Sequence, residues 1–200
     1  MTTKPSNAET RSKGNTLNQL ILASSSPRRR ELLAKAGYTF EVRAADIDES
    51  LHAGEQPKEY VQRLALEKAQ VIAALNPEAV VLGGDTTVVL EGEVLGKPVD
   101  LADAERMLRL LSGRTHQVYT GLAVVRGTEH QIHVETTDVV FRTITDEELT
   151  AYLASGEAMD KAGAYGIQGY AARWIPRIEG DYFNVVGLPL ASVVQLLGEW

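Results

Sequence analysis

The sequence predicts an α/β protein: a mixed, twisted sheet with flanking helices, closed into one structural unit with a cleft. Three observations carry that expectation. Strand-like apolar runs alternate with helical segments at both ends of the chain. Two long β-patterned segments follow one another in the middle, which suits an antiparallel pair rather than a wholly parallel sheet. No linker-like stretch divides the 200 residues, and that length is ample to bury an apolar interior.

In chain order, Gln19–Ala23 (QLILA) reads as a buried strand running into Ser24-Ser25-Ser26-Pro27. Pro27 suits a first helical turn, and the helix it opens runs to the stop at Gly37. Tyr38–Ala45 alternates enough for a second strand. Pro57–Leu75 carries Tyr60, Val61, Leu64, Leu66, Ala69 and Ile72 at helical spacing and stops before Asn76-Pro77. Ala79–Leu82 is a strand broken at Gly83-Gly84-Asp85, and Thr86–Leu90 and Glu93–Leu95 flank the hairpin signal Glu91-Gly92. Leu101–Leu111 is an amphipathic helix capped by Asp100. Gln117–Val125 and Gln131–Arg142 are the long paired strands. Asp146–Ala154 is a helix whose Thr145 and Glu148 make a capping box. Ser155–Asp181 is irregular and glycine-rich, and Leu188–Leu197 closes the chain as a helix.

Composition narrows the function classes. Hydrophobic residues at 44% and charged residues at 24% are the balance of a soluble globular protein. Cysteine is absent, so neither disulfides nor thiolate metal sites can form. The apolar runs are too short to cross a bilayer. Residues 1–18 are polar, lack the apolar core of a secretory signal, and are expected to be a disordered tail ahead of one domain at 19–200. A cytoplasmic setting follows as the expectation. The net charge of −7 argues against a nucleic-acid binder, which needs a cationic surface to displace counterions. A small anion in a locally basic pocket is compatible with it.

Several stretches carry groups suited to such an anion. In Ser24-x-Ser26-Pro27-Arg28-Arg29 a strand gives way to hydroxyls and then to a helix start with arginines on its first turn. Free amides at a helix start favour anions, and guanidinium groups can grip phosphate. The helix dipole disfavours cations there, a conflict that an anionic ligand removes. A plain serine cap beside solvated arginines is the equally weighted alternative. Asp85 follows a buried strand, where ligand sites of open α/β sheets gather, although turn amides are the commoner partner of such an aspartate. Asp46-Ile47-Asp48-Glu49 is an acidic run with Glu49 on the opposite face from both aspartates if extended, although a solvated acidic loop is the usual reading of such a run. Lys97 sits at a strand end. Gln168, in the aperiodic stretch Asp160–Gly169, can read a base edge or merely tie down its loop. His130 and His133 point to opposite faces of one strand, and His52 and His116 have no partner at metal-ligand spacing, so all four are assigned to structure or surface.

Taken together and in order, LILASSSPRRRELL, ADIDES, YVQRLALEKAQ, VLGGDTTVVLEGEVLGKP, LSGRTHQVYTGLAV, DKAGAYGIQGYAA and NVVGLPL resemble the Maf family of nucleotide pyrophosphatases from about Leu20 to Leu197. The resemblance implies a fold like that of inosine triphosphate pyrophosphatases, with two lobes around a cleft. It also implies hydrolysis of a nucleoside triphosphate between its α- and β-phosphates, with a divalent cation, Mg²⁺ or Mn²⁺. By resemblance, Asp85 is the general base, Glu49 and Asp85 hold the metal, and Ser24, Arg28 and Arg29 form the phosphate loop. Lys68 and Lys97 neutralise the triphosphate. Arg28, Thr86 and Gln168 match the branch acting on dTTP and UTP, whereas the branch preferring 7-methyl-GTP has Trp, Gln and Glu at those positions. A non-catalytic nucleotide-binding regulator of cell division, and a pyrophosphatase with another base preference, stand as the alternatives. Pattern alone does not separate a homodimer interface from core.

Overall fold

Strand β1 (Leu20–Ala23) is buried along its whole length, as four consecutive apolar residues require. It pairs in parallel with the short β2 (Glu41–Val42) on one side and the long β3 (Val80–Leu90) on the other. This computed structural model describes residues 19–200, so the tail expected over 1–18 lies outside the described residues. Hairpin partner β4 (Glu93–Leu95) folds back on the far end of β3 through Glu91 and Gly92, both in the left-handed region at φ 52° and 86°. The long pair β5 (Thr115–Arg126) and β6 (Glu129–Val140) is antiparallel, and β7 (Arg177–Glu179) adds to its edge. The sheet order is β2-β1-β3-β5-β6-β7, with β4 also on β3, which makes a mixed seven-stranded sheet as expected.

The helices begin where their capping residues dictate. Ser26 caps α1 (Pro27–Lys35), and a Gln56–Glu59 capping box opens α2 (Pro57–Ala74). Asp100 caps α3 (Leu101–Leu111), and Thr145 and Glu148 make the box of α4 (Asp146–Ala154). Two 3-10 turns follow, at Ala162–Ala164 and Tyr170–Trp174, before α5 (Tyr182–Val186) and α6 (Leu190–Leu197). No helix among the described residues is long and apolar enough to cross a membrane.

Three expectations need correction. The break at Gly83-Gly84-Asp85 does not exist: β3 is one continuous strand of 11 residues, and Asp85 lies in its middle. The glycines serve close packing instead. A Cβ on Gly83 would collide with the Ala65 carbonyl oxygen, and one on Gly121 with the Val61 carbonyl oxygen, both on α2. Second, Tyr38–Ala45 contributes only two strand residues, because the four-residue β1 offers it only Ile21 and Leu22 as partners. Third, β7, α5 and the 3-10 turns are too short, at three to five residues, to show a period.

Gly121 is the register partner of Asp85, and Gly83 lies two residues before Asp85 on the same face. Ala65, Ala69 and Ala123 complete this small-residue seam. Helix α2 therefore lies directly on β3 and β5 beside Asp85. On the far side of the sheet, His116 is fully buried, pairs with the Tyr165 hydroxyl at 2.8 Å and meets Phe141 edge-on. Burial pushes its pKa down to about 3.

Two stability predictions follow from this packing. Gly121→Ala should cost about 1–3 kcal/mol or more by overpacking α2 against the sheet, read from urea unfolding; a loss within error would mean α2 can lift off without penalty. His116 stays neutral in the fold but is protonated in the unfolded chain below its ordinary value of 6.5, so stability is full above that pH and falls as pH drops toward about 3. At pH 5 the wild type should be about 2 kcal/mol less stable through this residue than at pH 7.5. His116→Gln should flatten that dependence by a comparable amount, and an unchanged slope would contradict the assignment.

Candidate active site

The register of β3 opens a gap in the sheet. Its first half pairs with β1 up to Ala23↔Gly83, and its last residues pair with β4 from Val88↔Leu95. Between them Gly84–Thr87 has β5 on one side and no strand on the other. The chain leaving β1 (Ser24–Ser26) and the chain leaving β4 (Gly96–Lys97) diverge around this gap. A cleft of about 750 Å³ occupies it, with residues of Glu157–Gly169 closing the far wall. Alternation along β3 sends Asp85 toward α2 and Thr86 to the opposite face.

On the α2 face, Lys68 reaches Asp85 and Glu49 together: its Nζ lies 2.7 Å from Asp85 Oδ1 and 2.6 Å from Glu49 Oε1. Both Lys68 and Asp85 are buried. Glu49 is delivered by the acidic loop, which α2 itself holds: the Tyr60 hydroxyl donates to the Glu49 carbonyl at 2.9 Å, and Arg63 donates to the Ser50 carbonyl and to Glu55. Asp48 turns away to accept from the Ser50 amide, so Glu49 alone of the run faces the lysine. Burial lifts the Asp85 carboxyl above its ordinary range, against the pull of Lys68 and Arg29. For Glu49, burial is outweighed by Lys68, with Lys97 and Arg29 adding to it, and its pKa is lowered.

On the other face, Arg29 is tied at three points. Its Nε donates to the Gly187 carbonyl at 2.9 Å, Nη1 to Ser24 Oγ at 3.2 Å and Nη2 to Thr86 Oγ1 at 2.9 Å. Desolvation lowers its pKa, opposed by Asp85. Three of its five N–H groups are thereby used and two remain for a ligand. Ser24 Oγ accepts from the Ser26 amide as well, which leaves its own proton to donate. The serine cap is real too, with Ser26 Oγ accepting from the Arg29 amide. Arg28 crosses the cleft mouth to Asp160 at 3.3 Å, and Lys161 holds Asp160 from behind at 2.7 Å. Lys97 and Gln168 line the cleft without a side-chain hydrogen bond to the described residues.

Every residue to which the resemblance assigns a role thus borders one cleft: Ser24, Arg28, Arg29, Glu49, Lys68, Asp85, Thr86, Lys97 and Gln168. Sequence reasoning missed Tyr60, counted only as part of an apolar stripe, and the buried pair Thr120 and Asn184 behind Thr86, which lie inside LSGRTHQVYTGLAV and NVVGLPL but were given no role there. Among the described residues no group of three or more His, Asp or Glu side chains forms a metal cage.

Mixed sheet and cleft define an α/β protein whose site is lined by five cationic side chains, Arg28, Arg29, Lys68, Lys97 and Lys161, and four carboxylates, Glu49, Asp85, Glu157 and Asp160, a lining suited to a polyanion. The comparisons with known proteins sharpen this. The model of the Maf-like protein family matches residues 19–200, and the chain belongs to that family. A dTTP/UTP pyrophosphatase of Symbiobacterium thermophilum is 54% identical over 184 residues, covering 92% of this chain and 95% of the relative. One from Vibrio cholerae is also 54% identical, covering 91% and 98%. Among solved structures, a HAM1 protein from Coxiella burnetii aligns at 16% identity with a TM-score of 0.49, over 91% of this chain and 99% of that one.

Replacing the shared lysine tests the electrostatic account. Lys68→Met should raise the pH at which Asp85 titrates, because burial then acts without the opposing ammonium. Carboxyl ¹³C shifts followed against pH give the answer, and an unchanged or lower Asp85 midpoint would contradict it.

Proposed function

We propose that the protein is a cytoplasmic nucleoside triphosphate pyrophosphatase that converts dTTP and UTP to the monophosphate and pyrophosphate. The observation that carries this reading is the convergence of Asp85 and Glu49 on one lysine inside a cleft whose other wall presents Ser24 and Arg29. The names of relatives sharing more than half of their residues with this chain over nearly its whole length supply the substrate.

The polyphosphate lies across the gap in the sheet. Arg29, Ser24 and the first turn of α1 take phosphate oxygens on one side, and Lys97 approaches from the other. These groups are fixed before substrate arrives, so they stabilise developing charge without reorganising, typically the largest catalytic contribution. Asp85 accepts a proton from a water molecule as the water oxygen attacks the α-phosphorus. The bridging P–O bond breaks, and its electrons leave with the pyrophosphate. The raised basicity of a buried carboxylate suits this role. Lys68 keeps Asp85 and Glu49 together and faces the incoming charge.

The donor set fits a divalent cation, Mg²⁺ or Mn²⁺. Two carboxylates converging on one cationic centre match an ion that takes one or two carboxylates and completes its shell with phosphate oxygens and water. Glu49 and Asp85 would hold it, and it would supply charge neutralisation to the phosphates. Arg28, Thr86 and Gln168 choose the base, Gln168 through its free amide and Arg28 by exchanging Asp160 for the substrate.

Asp85→Asn should fold with the wild-type unfolding midpoint and lose at least about 10²-fold in turnover. Pyrophosphate release from a panel of triphosphates, with and without Mg²⁺ or Mn²⁺, is the assay. Wild-type rates in the folded variant, or equal rates for dTTP, UTP and the purine triphosphates, would sink the reading.

A further inference from the structure

Behind Thr86 runs a chain of polar groups that the proposed chemistry does not use. Arg29 Nη2 donates to Thr86 Oγ1 at 2.9 Å, Thr86 Oγ1 lies 2.9 Å from Thr120 Oγ1, and Thr120 Oγ1 donates to the Asn184 carbonyl at 3.2 Å. Its direction is not free. A guanidinium can only donate and a carbonyl can only accept. Thr120 spends its proton on the main-chain carbonyl of Asn184, so the Thr86 proton goes to Thr120 at 2.9 Å, with the Gly187 carbonyl a longer alternative acceptor at 3.5 Å, and each hydroxyl turns its lone pairs toward Arg29. Bonds aligned this way polarise one another, the more so in a buried setting. Thr120 and Asn184 are fully buried.

Asn184 anchors the far end. Its Nδ2 donates to the Val118 carbonyl at 3.0 Å on β5 and to Thr137 Oγ1 at 2.9 Å on β6. Thr137 in turn accepts from the Asp181 amide and donates to the Asp181 carbonyl, at the start of α5. This fastens a five-residue helix to the sheet. The helix ends at Gly187, whose carbonyl accepts from Arg29 Nε at 2.9 Å. Two of the three ties on Arg29 thus lead back to Asn184, one through hydroxyls and one through the α5 backbone.

We infer that Thr120 and Asn184 are positioning residues: they lock the Arg29 guanidinium, through Thr86 and Gly187, in the orientation that leaves its two free N–H groups facing the polyphosphate. The inference rests on the reading of the cleft as a triphosphate site. It also gives Thr86 a role through Arg29, since its proton and one of its two lone pairs are engaged before any base enters the cleft.

Thr120→Val keeps the shape and removes the hydroxyl, and Thr120→Ser keeps the hydroxyl. Hydrogen exchange of the Arg29 Nε–H, observed by ¹⁵N NMR and assigned with Arg29→Lys, reports guanidinium ordering whether or not the protein turns over. Binding of α,β-methylene-UTP reports the consequence. Thr120→Val should speed that exchange and weaken the analogue by about tenfold each, the worth of one such hydrogen bond. Thr120→Ser should restore both. Unchanged exchange in a folded Thr120→Val protein would overturn the inference, as would a lower unfolding midpoint with both readouts unmoved, or failure of serine to rescue. Asn184→Ala provides a second test should Thr120→Val not fold: it keeps the main-chain carbonyl but releases α5 from the sheet, so the Gly187 tie should loosen, Arg29 Nε–H exchange should speed and the analogue should weaken, and unchanged exchange in the folded variant would overturn the inference. A wild type that hydrolyses no triphosphate would sink the proposed activity, while the exchange measurement would still decide the positioning role.

Discussion

The close approach of α2 to the sheet is the constraint on which the site depends. Without side chains at Gly83 and Gly121, the carbonyls of Ala65 and Val61 can rest against β3 and β5. At that separation Lys68, three residues past Ala65, meets a carboxylate that projects from the middle of a strand. The same helix carries Tyr60 and Arg63, which fasten the acidic loop so that Glu49 arrives at the same ammonium. One helix thus assembles three charged groups that come from distant parts of the sequence. A larger residue at either glycine would push the helix off and part the lysine from Asp85.

Burying these charges is costly, and the way it is offset points to use rather than to stability. A buried pair contributes little to folding once desolvation is counted. Here a lysine and two carboxylates share one corner of the cleft, and a partly desolvated arginine stands on the opposite face of β3. Shifted titration of Arg29, Asp85 and Glu49 around one concavity, set by burial and by one another's charge, is a pattern that functional sites share. The interrupted pairing of β3 explains why the concavity exists at all: β1 and β4 both pair along the same strand and stop short of one another.

Much of this was legible in the sequence. Capping residues placed α3 and α4 to the residue, and the Glu91-Gly92 turn was read correctly. Those signals are local, so local reasoning finds them. The error at Gly83-Gly84 was instructive, because glycine in a strand carries two meanings, a break or a close backbone approach. Only α2, which meets Gly83 through Ala65 and Ala69 from elsewhere in the chain, decides between them. The same holds for the site. The hydroxyl and arginine motif at the start of α1 was visible because strand end and helix start are adjacent in sequence. Thr120 and Asn184 were not, since a threonine in a strand and an asparagine before an apolar run have no meaning until sheet register brings them together. Alternation put Glu49 on the other face from Asp46 and Asp48 but did not say which face mattered; the family resemblance singled out Glu49, and it is Glu49 that faces Lys68.

The central claim is that a polyphosphate crosses the gap in the sheet beside β3 with its α–β bridge at Asp85. A crystal structure with α,β-methylene-UTP tests it most directly. The account predicts the methylene bridge beside Asp85, phosphate oxygens on Arg29, Ser24 and Lys97, and the base toward Gln168. Phosphates directed out to solvent with the base against Asp85 would contradict it.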